Sequence, residues 1–175
     1  RELSCPLRRQ RQMCVRDGNR TTFISYPDQV MVVRIEADRK QAVGMDVSLS
    51  SKLRYRSTAT GNDLLVLRGK APEYVAHRPD EPRQIVYADD ENGEGMNFEV
   101  HLKVITDGGT VVSADSTLTV SGANAVTLLV SAATSFNGID KSPGIEGKDP
   151  SVQAVADLEA ASGKNYGQLL DAHLN

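Results

Sequence analysis

Apolar and polar residues alternate in short bursts along residues 20–132, separated by turn-forming clusters, the pattern of antiparallel strands. The clearest burst is Met96–Val104, where Met96, Phe98, Val100, Leu102 and Val104 alternate with Asn97, Glu99, His101 and Lys103. A period of two sends the two sets to opposite faces, so this segment is predicted as a half-buried strand with His101 on its polar side. Thr21–Ser25 and Gln29–Ala37 flank the turn signal Pro27-Asp28, and Ala42–Ser50, Asp63–Arg68 and Gln84–Ala88 read as further strands. Asp107-Gly108-Gly109 turns the chain into Thr110–Ala114, and Asp115 leads into Thr117–Val120. Asn124–Ala132 is a denser apolar run, suited to the middle of a sheet. Short strands without interleaved helices predict a mainly β fold, an antiparallel β-sandwich.

The texture changes at residue 134. Thr134–Gly144 is rich in turn formers and ends the β region. Asp149 before Pro150 is a helix start, since the carboxylate caps free amides where proline's missing N–H costs nothing. Val152, Val155, Leu158 and Glu159 follow at helical spacing until Gly163. A second short helix is predicted from Asn165, with Tyr166, Leu169, Leu170, His173 and Leu174 on one face, an apolar stripe expected to lie uncovered. Ser4–Asn19 shows no alternation and receives no structural assignment. The expected organisation is thus an atypical segment over 1–19, a sandwich over 20–133, a junction loop over 134–149 and helices over 150–175.

Composition narrows the function classes. Net charge is −3, which argues against nucleic acid as the main partner, although residues 1–20 hold six arginines against Glu2 and Asp17. No apolar run reaches membrane-spanning length. Cys5 and Cys14 match no zinc spacing and read as incidental thiols, or else pair with each other in an oxidising compartment. The histidines, His77, His101 and His173, lie far apart in sequence and form no metal-binding pair, and no nucleophile elbow or phosphate loop is present. Neither a metal nor a cofactor is expected. The acidic run Asp89-Asp90-Glu91-Asn92-Gly93-Glu94 lacks the spacing of a calcium loop and reads as a solvated connection. Ser135–Lys141 is more suggestive. Phe136 beside Asn137, Asp140 and Lys141 on glycine- and proline-bounded backbone combines a ring-stacking face with hydroxyl-gripping groups, or else forms a linker whose polar groups satisfy their own turns.

Three segments, Tyr26–Arg34 (YPDQVMVVR), Gly93–Glu99 (GEGMNFE) and above all Ala132–Pro150 (AATSFNGIDKSPGIEGKDP), resemble in order the amino-terminal region of family 95 glycoside hydrolases. That family contains α-L-fucosidases and α-L-galactosidases. The resemblance covers Arg1–Leu3 and about Arg20 onward, while Ser4–Asn19 departs from the pattern. It implies an incomplete sandwich of the super-sandwich type with helices leading to an (α/α)6 barrel beyond Asn175, and opening strands ahead of Arg1. The family is inverting, with a Glu general acid and an Asp-assisted Asn that positions water. All of these belong to the barrel, so the resemblance implies no catalytic residue in this chain. Phe136, Asn137, Asp140 and Lys141 remain as substrate-contact candidates. The implied partners are a fucosylated glycan and the catalytic barrel in cis, and relatives are often exported. The alternative reading is a free-standing carbohydrate-binding or structural module.

Overall fold

A computed structural model describes residues 11–15, 18–88 and 93–175. Among these, the alternating segments form strands β1 (Arg11–Val15), β2 (Gly18–Ser25), β3 (Val30–Ala37), β4 (Val43–Ser48), β5 (Arg54–Thr60) and β6 (Leu64–Lys70). They continue as β7 (Tyr74–Val75), β8 (Ile85–Val86), β9 (Asn97–Asp107), β10 (Thr110–Ala114), β11 (Thr117–Ala123) and β12 (Ala125–Thr134). Helices α1 (Pro150–Ser162) and α2 (Tyr166–Leu174) follow. The strands pair antiparallel in a seven-stranded sheet, β1-β2-β3-β12-β9-β6-β5, and a three-stranded sheet, β10-β11-β4, with a separate β7–β8 hairpin. The fold is therefore mainly β, a sandwich followed by two helices, as the alternation predicted. One hairpin shows the local cause. Gly108 and Gly109 both have φ of 70°, a conformation that costs other residues sterically and glycine little, and a Cβ on Gly109 would meet the Ser121 carbonyl oxygen at 2.5 Å.

The large sheet is packed on both faces over its central strands. Its front packs on the small sheet through Leu65, Leu102, Val104 and Val126 against Val43, Val47, Leu118 and Val120. Its back carries Phe23, Val30, Val32 and Leu129 against Leu158, Ala161 and Leu169 of the helices. Strand β12 sits in the middle and feeds both layers, which accounts for its dense apolar run: Val126 faces forward and Leu129 backward.

Several expectations need correction. Arg11–Val15 pairs with β2, so part of Ser4–Asn19 is a regular strand; the rest of that segment, apart from Gly18 and Asn19 in β2, lies outside the described residues. The stripe on α2 is covered by the chain's own sheet: Leu169 is 1% exposed, His173 stacks on Phe23 at 4.9 Å, and only Leu174 is widely exposed. The buried face of α1 is Ala154, Leu158 and Ala161, whereas Val152 and Val155 point outward. Two alanines in that row allow a close approach to β12, which a row of valines would prevent. Strand β5 escaped prediction because Arg54–Thr60 (RYRSTAT) is mostly polar and lies at a sheet edge.

The helices are fixed at their ends. Asp149 accepts from the Ser151 amide at 2.9 Å, and Asn165 and Gln168 form a reciprocal capping box. Between the helices, Lys164 donates to Asp28 at 2.5 Å, while Ser25 donates to the other Asp28 oxygen at 2.5 Å. Burial pushes the Asp28 carboxyl up, but the Lys164 and Ser25 hydrogen bonds with the Lys164 charge outweigh it and hold the group below its ordinary value. This latch ties the α1–α2 connection to the β2–β3 turn.

Candidate functional site: the junction loop and the back of the sheet

The loop after β12 is organised around Ser135, which is 2% exposed. Its amide donates to the Asn97 carbonyl at 2.8 Å, its carbonyl accepts from the Lys148 amide at 3.0 Å, and its hydroxyl donates to the Pro143 carbonyl at 2.6 Å. The same hydroxyl accepts from the Asn97 amide at 2.9 Å. One serine thus closes both ends of the loop onto the start of β9, a role the sequence did not reveal because serine is common in turns. Gly147 makes the crossing possible, since a Cβ there would meet the Pro143 carbonyl oxygen at 2.1 Å.

The four candidate side chains separate into two kinds. Asn137 is half-buried and donates to the Glu146 carbonyl at 2.9 Å, so its amide fastens the loop. Phe136 is 58% exposed and lines a hollow of about 680 Å³ together with Lys148, Asp149, Val152, Gln153 and Asp157. Asp140 and Lys141 lie exposed farther along the loop and do not line that hollow. An aromatic face beside carboxylates, an amide and an ammonium suits a polyhydroxylated ligand, which presents apolar C–H faces between donor and acceptor hydroxyls. Asp149 already accepts from Ser151, which with the Arg68 charge nearby holds its carboxyl below the ordinary range.

The polar side of β9 is not solvated as the alternation suggested. Helix α1 lies over it, leaving Glu99 7% and His101 3% exposed. Arg68 donates to Glu99 at 2.6 Å, and His101 Nε2 meets the other Glu99 oxygen at 2.7 Å. His101 Nδ1 and the hydroxyl of Ser131, the residue directly across on β12, are both buried with no hydrogen-bond partner among the described residues. Helix α1 thus closes Glu99 and His101 off from solvent. No cluster of three metal-ligating side chains occurs among the described residues. Asp89–Asn92 of the acidic run lie outside them. No described helix is long and apolar enough to cross a membrane.

Comparison with known proteins agrees with this architecture. Alpha-L-fucosidase 2 of Arabidopsis thaliana is 26% identical over 162 residues, covering 90% of this chain and 19% of that protein. The chain therefore spans about a fifth of the relative's length. Residues 10–139, from the first strand into the junction loop, match the family model described as glycosyl hydrolase family 65, N-terminal domain. Strands β1–β12 fall within that match, and with most of its length so matched the chain belongs to this family of glycosyl hydrolase N-terminal domains.

Proposed function

We propose that the chain is the non-catalytic amino-terminal part of an α-L-fucosidase-like glycoside hydrolase of the family 95 kind, acting on fucosylated glycans in carbohydrate metabolism. In this reading a helical catalytic barrel continues the polypeptide, and the loop Thr134–Pro143 stands at the rim of its cleft. The observation that carries the reading is the loop itself: Ser135 fixes it to the sheet, Asn137 fastens it internally, and Phe136 is left exposed at a concave surface between strand and helix. Sites at such junctions are favoured because two surfaces form a concavity that one cannot. Phe136 would take a sugar face, with Asp140 and Lys141 available farther along the loop, while Asn137 serves to hold the loop.

In an intact enzyme, Phe136→Ala should lower kcat/KM on a fucosylated oligosaccharide with little change in melting temperature. Unchanged kinetics with a lowered melting temperature would sink the rim role. The chain alone should hydrolyse an aryl α-L-fucoside at only the uncatalysed rate. The packing of α2 on the chain's own sheet favours a second reading, a self-contained carbohydrate-binding module. Calorimetric titration of the chain with a fucosylated oligosaccharide separates the two, since only the module should bind it without a barrel.

A further inference from the structure

We propose that the back face of β5 and β6, beside α1, is a docking surface for an anionic polysaccharide, whose sulfate or carboxylate groups are received by Arg54, Arg56 and Arg68. The inference deepens the glycan-processing reading above and rests on it for the choice of a carbohydrate over other polyanions.

The register carries the argument. Arg56 pairs directly with Arg68, and Arg54 with Lys70, so the four cations stand in two cross-strand pairs. Leu64 packs into the helix-side core, which places the residues at even positions of β6, Arg68 and Lys70 among them, on the back face together with their β5 partners. Like charges directly opposite one another weaken a sheet; Glu99 offsets this at Arg68, whereas Arg54 and Arg56 face no described carboxylate. Helix α1 packs on β12, β9 and β3, and leaves this flank open: Arg54, Arg56 and Arg68 are all exposed.

Two of the described anions nearby are already engaged. Glu99 holds Arg68 and His101, and Asp149 caps α1. Arg54 lies over the Tyr87 ring at 4.4 Å, which steadies its guanidinium without neutralising it. Among the described residues no carboxylate pairs with Arg54 or Arg56. Lys70 has a partner of its own and Arg68 shares its charge with Glu99, so the surface rests chiefly on Arg54 and Arg56, with Arg68 beside them. This concentration of positive charge stands out on a chain of net charge −3.

The shape selects the ligand. The surface is a flat, open strand pair, with side chains on one strand repeating about every 6.6 Å, and not a pocket for a small ion. Guanidinium groups offer paired N–H donors that match carboxylate and sulfate oxygens. An extended polymer with regularly repeated anionic groups meets both conditions.

The test is affinity electrophoresis of the chain at low salt through gels containing dextran sulfate, uncharged dextran or poly-L-glutamate. Dextran sulfate should retard the chain and dextran should not. Arg54→Gln/Arg56→Gln should weaken retention by about tenfold or more. The matched pair Arg39→Gln/Lys40→Gln, on the exposed β3–β4 turn, should change it less than about twofold. Circular dichroism melts confirm that each variant folds. No retardation by dextran sulfate, equal losses in the two double variants, or equal retardation by poly-L-glutamate would each overturn the proposal. Hydrolysis assays on the intact protein read the glycosidase assignment separately. Inactivity there with dextran sulfate retention intact would remove the hydrolase reading and leave the docking surface.

Discussion

Substituting Leu169→Ala measures whether the helical tail is part of the folded unit. Leu169 is 1% exposed and sits in the back core with Phe23, Leu129 and Leu158. Truncation removes three carbon atoms, about 2.4 kcal/mol of transfer free energy at roughly 0.8 kcal/mol per buried methylene. The cavity left behind adds to this, so a total of about 3 kcal/mol is expected, within the range for buried leucines. For a domain of this size 1 kcal/mol shifts the midpoint by about 2–4 °C, so Leu169→Ala should melt roughly 6–12 °C below the parent. Leu174→Ala, at 49% exposure, is the internal control and should move the midpoint by no more than about 2 °C. The assay is a thermal melt by circular dichroism, followed in the β-sheet band so that the signal reports the sandwich and not the helix. Equal, small shifts for both variants would refute the reasoning, because they would mean that α2 contributes nothing to the sheet it covers.

Three further outcomes are expected. The depressed Asp28 carboxyl contributes stability that is fully present above about pH 4 and is lost as pH falls through its lower folded value. Asp28→Asn should therefore flatten the acid limb of a stability–pH curve, and an unchanged limb would rule out the latch. Ser135→Ala leaves the Asn97 amide without its side-chain acceptor, a cost of about 1–3 kcal/mol, and should speed proteolysis within residues 134–148. Unaltered cleavage would show that the loop is held by other contacts. His101→Ala should destabilise the chain by about 2–3 kcal/mol in denaturant melts, whereas a solvated histidine would cost less than about 0.5 kcal/mol.

What the sequence revealed follows from how far each signal is local. Strand β10 emerges with the bounds its pattern predicts, and α1 starts where Asp149 and Pro150 place it, because alternation and capping depend only on neighbouring residues. The burial of His101 is not legible in alternation, which separates two faces without saying that a helix will cover the second. The apolar stripe of α2 was legible, but its cover was not, since Phe23 and Leu129 are far away in the chain. Within the loop, periodicity carries no information. Phe136, Asn137, Asp140 and Lys141 therefore stand out only by chemical type, and the fold alone divides the fastening amide from the exposed ring. The back-face arginines are hidden in the sequence for a related reason: their adjacency exists only in the register.

The central strand also ties together two parts that would otherwise fail separately. Because β12 lends Val126 to one layer and Leu129 to the other, the sandwich and the helices share a single wall. A defect on either side distorts the same backbone, so damage in one layer is transmitted to the other and both should be lost in one cooperative melting event. The strand has almost no position at which a side chain can vary freely until it nears the junction loop, where Ala132 and Thr134 return to solvent. The loop therefore begins from the most constrained segment of the chain, and its tip inherits a fixed point of departure that no edge strand would provide.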